Sequence, residues 1–114
     1  MSVAQDASLP ETRAVTSIVE CLVEGLPEDW RRVQMVVELE RPGAETGSVQ
    51  YLVSRAGSPD QFEAFQPCDL RKPARTLIDA RNDQATDKRG WTTARLLLQR
   101  DGKFGLSYDY PKPN

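Results

Sequence analysis

The sequence predicts an α+β fold, an antiparallel sheet of about four to five strands packed against two helices in the order α-β-β-(β)-α-β-β. Three observations lead there. Two segments repeat apolar residues at three- and four-residue steps. Two pairs of segments alternate apolar with polar residues. Each alternating pair is joined by a turn too short for a parallel crossover. The chain has 114 residues, a common size for one domain, so residues 10–111 are read as a single domain behind a flexible tail, residues 1–9.

Ser8-Leu9-Pro10-Glu11 fits a capping box, in which a serine hydroxyl and a glutamate three residues on satisfy orphan amides. Val15, Ile18, Val19, Leu22 and Leu26 then form one apolar stripe, which Gly25 and Pro27 terminate. From Trp30 the period becomes two. Val33, Met35, Val37 and Leu39 face one way, while Arg32, Gln34, Glu38 and Glu40 face the other. Pro42 and Gly43 begin a loop that closes at Gly47, expected as a mobile hairpin tip of about six residues. Val49, Tyr51 and Val53 supply the returning strand. Ala56-Gly57-Ser58-Pro59-Asp60 reads as a turn, and Phe62 and Phe65 lie either on a short third strand or in a packed loop.

Asp69 is the expected N-cap of the second helix, with Pro73 near its first turn and a stripe of Leu70, Ala74, Leu77, Ile78 and Arg81. Residues 82–90 are polar and read as a solvated connection. Residues 91–99 and 104–110 flank Arg100-Asp101-Gly102. A two-residue Asp-Gly turn would set Gln99 against Phe104 and Arg95 against Tyr108. A three-residue loop with Gly102 in the left-handed region pairs Leu98 with Phe104, Leu96 with Leu106 and Ala94 with Tyr108. Register follows the hydrophobic pattern, which selects the three-residue loop.

Fifteen bases against 17 acids give a net charge of −2, without the basic excess of an ordinary nucleic-acid binder. Arg71, Lys72, Arg75, Lys88 and Arg89 form a basic run, but no stacking aromatic stands beside it, so no direct nucleic-acid contact is expected. No apolar run approaches the ~20 residues that span a bilayer, and the first residues carry Asp6 and Glu11 rather than a signal core. A soluble, cytoplasmic chain with no membrane partner is expected. Cys21 and Cys68 are too few for a disulfide scaffold and lack metal-knuckle spacing. Cys21 is expected to pack as a small hydrophobe.

The chain has no histidine, which excludes a Ser-His-Asp triad, a Cys-His dyad and any His metal ligand. Neither phosphate-binding glycine motif occurs. Glu38 and Glu40 share a strand side at the spacing of a glycosidase pair, yet alternating acids on an exposed strand face are ordinarily solvation. No catalytic residue, cofactor, metal ligand or small-molecule substrate is therefore expected, and the chain is read as a protein that is not an enzyme. Trp30 and Trp91 are expected to plug the core, with a partner anchor as the other reading. Residues 1–60 hold ten acids and five bases, a net −5, against seven acids and ten bases, a net +3, in residues 61–114. Glu20, Glu24 and Glu28 at four-residue steps, with Glu38 and Glu40, are the candidate partner-binding residues: an acidic face complements a basic partner and speeds its association. Ordinary solubility explains the same acids.

Leu26-Pro27-Glu28-Asp29-Trp30-Arg31-Arg32-Val33 resembles the Leu-Pro-x-x-Trp-x-x-Val opening of YezG-like immunity proteins. Trp91-Thr92-Thr93-Ala94-Arg95-Leu96-Leu97-Leu98 is similar to that family's Pro-Trp-Thr-x-x-x-Leu-x-Leu strand, with Gly90 in place of the proline. Asp101-Gly102-Lys103-Phe104 with Tyr108-Asp109-Tyr110 resembles its Asp-Gly-Lys-Phe…Tyr-x-Tyr hairpin. The resemblance runs in order over residues 10–110. It implies a cytoplasmic antitoxin that binds and neutralises a cognate secreted toxin, often the nuclease C-terminal domain of a polymorphic toxin system, by non-catalytic protein–protein association. It also implies that Trp30, Trp91, Phe104 and Tyr110 hold the fold. The alternative is a secretion chaperone for an exported effector, expected as an obligate dimer on the effector's N-terminal region.

Overall fold

The computed structural model describes residues 10–81 and 89–111. The tail 1–9, with Ser8 of the expected capping box, and residues 82–88 of the polar connection lie outside the described residues.

The expected architecture is present: the described residues form two helices and one five-stranded antiparallel sheet. The elements are α1 (Pro10–Val23), β1 (Trp30–Leu39), β2 (Gly47–Arg55), β3 (Ser58–Ala64), α2 (Lys72–Ala80), β4 (Thr93–Gln99) and β5 (Phe104–Asp109). Strand order is β3-β2-β1-β4-β5, so β1 is central and the chain crosses the sheet through α2 between β3 and β4. Met35 marks the middle, opposite Tyr51 on one side and Leu96 on the other.

Strict alternation along β1 buries Val33, Met35, Val37 and Leu39, and register aligns them with Tyr51 and Val53 of β2 and with Ala94, Leu96 and Leu98 of β4. Val15, Ile18 and Leu22 of α1 and Leu77 and Ile78 of α2 close over this face to make one core.

α1 stops where Gly25 and Leu26 donate to the carbonyls of Leu22 and Val23 and Pro27 offers no donor. Its exit presses on the segment ahead of α2: a Cβ at Gly25 would stand 1.7 Å from the Gln66 carbonyl oxygen, so only glycine fits. Beside it a disulfide joins Cys21 to Cys68, with Cα atoms 4.9 Å apart, and the Cys68 N–H donates to the Cys21 carbonyl. This corrects the expectation of a packed free thiol. Cys21 is buried among apolar side chains, but its sulfur is bonded to Cys68 across a sequence separation of 47, a proximity only the fold creates.

The segment left open between strand and loop is a strand. The turn is only Ala56-Gly57, and β3 lies on the edge, where Pro59 is tolerated because one row of strand amides has no neighbour. The hairpin tip, residues 40–46, is tied down: Ala44 is buried, and Arg81 donates through Nη1 to the Ala44 carbonyl at 2.8 Å and through Nη2 to the Gly43 carbonyl at 3.4 Å. The β4–β5 hairpin has the expected register, Leu98 opposite Phe104 and Ala94 opposite Tyr108, with Gly102 at φ +92°.

Asp69 Oδ1 accepts the amides of Arg71 and Lys72 at 2.7 and 2.9 Å, just before the first turn of α2. Because the helix starts only at Lys72, Leu70 falls outside the stripe and is 53% exposed. Trp91 is fully buried against Tyr108, ring centroids 5.4 Å apart, and its Nε1 finds no partner among the described residues. Phe104 and Tyr110 depart from the expected core role, at 37% and 44% exposure. They begin and follow the edge strand β5, where only one neighbouring strand contributes packing.

Candidate functional site

The five candidate carboxylates are all exposed, and none belongs to the ion pairs of the described residues, which use Asp29, Glu45, Asp60, Glu63, Asp79, Asp101 and Asp109. They do not make one face. Glu20, Glu24 and Glu28 follow the last turns of α1 towards the start of β1. Glu38 and Glu40 stand at the far end of that strand, eight residues beyond Trp30 for Glu38, or about 26 Å at ~3.3 Å per residue. Glu38 also alternates with buried Val37 and Leu39, so it lies on the sheet face away from the helices. The helix end does adjoin the first strand, but at the strand's opposite end.

The start of β1 is basic instead. The pairing with β2 shifts between Trp30 and Arg32, a bulge that disturbs the strict alternation. Arg31 and Arg32 therefore both line one depression of about 400 Å³ on the uncovered face, with Pro59, Leu97, Gln99, Arg100 and the acid Asp101. Arg32 Nη2 bonds Asp60 Oδ1 at 2.8 Å and the Pro59 carbonyl at 3.0 Å. Arg100 lies over the Trp30 ring, 5.2 Å from its centroid, and Nη1 donates to the carbonyls of Glu28 and Trp30 at 2.7 and 3.1 Å. These contacts fix both guanidinium groups without cancelling the charge of Arg100 or Arg31. Glu28, one of the five acids, thus sits beside a cationic cluster. The sequence shows all three arginines; only the bulge and the β4–β5 turn put them together.

A second cleft, about 390 Å³, opens between α2 and the β1–β2 hairpin. Val37, Val49, Ala74 and Ile78 contribute apolar walls, and Arg71 and Arg75 line its polar side. Arg75 is engaged by Glu45 and Asp79, at 3.7 and 3.0 Å. Of the basic run, Arg71, Lys72, Arg75 and Arg89 are exposed and Lys88 lies outside the described residues. Nearby, the Tyr51 hydroxyl donates to the Leu70 carbonyl at 2.7 Å, and burial, with the Asp69 charge second, pushes its pKa up to about 12. The two amides on Asp69, that of Arg71 first, hold its carboxyl below the usual range.

Among the described residues no group of three or more His, Cys, Asp or Glu side chains gathers as a metal site, and no helix is long and apolar enough to cross a membrane. The chain matches no protein-family model, and a comparison with curated proteins returns no match.

Proposed function

We propose that the chain is an immunity protein of the YezG-like kind, which binds a cognate toxin domain and neutralises it by non-catalytic association. The observation that carries the reading is the ordered motif series. Its first member spans the junction from α1 to β1, its second opens β4, and its third forms the β4–β5 hairpin, so all three fall at structural joints. The role is interbacterial competition within a polymorphic toxin system. The partner is a basic, nuclease-like C-terminal domain, met in the cytoplasm of the producing cell. A disulfide such as Cys21–Cys68 is rare in a reducing cytoplasm and common in oxidising compartments.

Because β1 carries Glu38 about 26 Å from Trp30, the strand start that Glu28 precedes, a small basic surface engages one group of acids at a time. Reversing Glu20, Glu24 and Glu28 together, and Glu38 and Glu40 together, separates them. The group that steers the toxin, once reversed, slows association and removes its salt dependence; unchanged kinetics for both sets would exclude an acidic binding face.

The chaperone reading is separated by capture from the two halves of the large protein encoded immediately upstream. An immunity protein retains the C-terminal toxic half, whereas retention of the N-terminal half alone would replace the proposal with the chaperone.

A further inference from the structure

Residues 65–71 run as a strap from β3 to α2, and Tyr51 grips this strap at both ends. The Phe65 N–H donates to the Tyr51 carbonyl at 3.1 Å, and the Tyr51 hydroxyl donates to the Leu70 carbonyl at 2.7 Å. Between those ends Pro67 is buried, and the Gln66 carbonyl fills the space that a Cβ at Gly25 would need. The Cys68 N–H donates to the Cys21 carbonyl at 2.9 Å. These contacts make the two cysteines neighbours independently of the bond between them. Their access to solvent differs: Cys21 is 2% exposed in the last turns of α1, whereas Cys68 lies on the surface. Exposed disulfides are the labile, regulatory kind, in contrast to those sealed in a core.

We propose that Cys21–Cys68 is a redox latch that opens and closes within the folded protein, with Cys68 as the sulfur through which a small thiol enters. A thiolate such as that of glutathione attacks Cys68 Sγ and forms a mixed disulfide there. The Cys21–Cys68 bond breaks, and Cys21 leaves with the electron pair and takes up a proton. A second glutathione thiolate attacks the glutathione sulfur of the mixed disulfide, so Cys68 leaves as a thiolate and oxidised glutathione departs. Two electrons thus pass from two glutathione molecules to the protein. Closure runs the other way. The Cys68 thiolate attacks oxidised glutathione; Cys21 then gives up its proton, attacks Cys68 Sγ and displaces the glutathione thiolate. Because the strap keeps both sulfurs side by side, that last step is intramolecular. The latch acts on α2. Asp69, next to Cys68, accepts the amides of Arg71 and Lys72 ahead of the helix, and Leu70 and Arg71 line the cleft beside it. Opening loosens the strap and the first turn of α2 while the sheet keeps its pairing. The inference does not rest on the toxin reading.

Glutathione buffers of graded reduced-to-oxidised ratio, applied to the whole chain without denaturant, test it. Alkylation with peptide mass analysis reads each thiol, and amide chemical shifts read the fold. Both thiols are expected to appear in reducing buffer and to close again in oxidising buffer. Shift changes should be confined to the end of α1, the strap and the first turn of α2, with β1 unmoved. A short pulse of oxidised glutathione on the reduced wild type should leave the mixed disulfide on Cys68. In Cys21→Ser, Cys68 should take up glutathione about tenfold or more faster than Cys21 does in Cys68→Ser. A bond that stays closed until urea unfolds the chain would be a folding staple, and the latch would be wrong. Equal uptake at the two sulfurs would overturn entry through Cys68.

Discussion

On the helix-covered face of the sheet, Val33, Met35, Val37, Tyr51, Leu96 and Leu98 lie almost wholly out of water beneath α1 and α2. On the other face, one residue away along the same strands, Arg32, Gln34, Val36, Leu52 and Leu97 are only half-buried. The alternation that builds the core thus also builds a second surface, made of the residues the core does not need. Packing selects the first set by size and shape. The second is constrained mainly by water, so it carries charged residues of both signs, Arg32, Arg95 and Glu38 among them. The covered face is predicted to hold most of the stability and the open face little of it.

The largest expected effect comes from the bond that fastens the helix layer over the covered face. Reducing Cys21–Cys68, or replacing both with serine, releases a loop spanning 47 residues and should cost about 4 kcal/mol on the chain-entropy account. Urea midpoints with and without reductant measure it. Next comes the sharpest comparison of the two faces, made on adjacent residues of one strand. Leu96→Ala should cost about 3 kcal/mol through lost burial and a cavity, whereas Leu97→Ala should cost less than about 1 kcal/mol. Equal losses would end the distinction.

Tyr51 lies on the covered face, and its stability contribution has a pH signature. The folded state holds the phenol proton more tightly than the unfolded chain, with a pKa of about 12 against 10.0. The contribution is therefore whole below pH 10 and is lost as pH rises towards 12. Tyr51→Phe should cost about 1 kcal/mol at neutral pH through the missing bond to Leu70, and should flatten this alkaline decline. The smallest effect belongs to exposed Asp69. Its carboxyl titrates below the usual range, so its stabilisation is present above the ordinary carboxylate pKa and is lost as pH falls through the lowered one. Asp69→Asn keeps an acceptor for the two amides but should remove that part of the acid limb, read from melting temperature against pH.

Where a local rule met a global constraint, the sequence was legible. The β4–β5 register follows from apolar pairs that only a three-residue loop can align, and α1 from a stripe with its own stop signals. β3 was only half legible, open between a short strand and a loop, because an edge strand buries little: of Ser58 to Ala64 only Phe62 is even half-buried, so no alternation settles it. Nor was the disulfide, since nothing local links residues 47 apart. The acidic series failed as one site for a physical reason. Glu24 and Glu28 are close because a helix end and a tight junction keep them so, but β1 then carries Glu38 away at full strand rise. The bulge that gathers Arg31, Arg32 and Arg100 was hidden, because alternation from Val33 onward does not reveal a shift before it.

The proposed function has the chain neutralise a toxin by binding it. The most direct measurement is growth of cells expressing the toxic domain encoded immediately upstream, with and without this protein. Cells are expected to survive with the protein and to die without it. Equal death in both cases would contradict it.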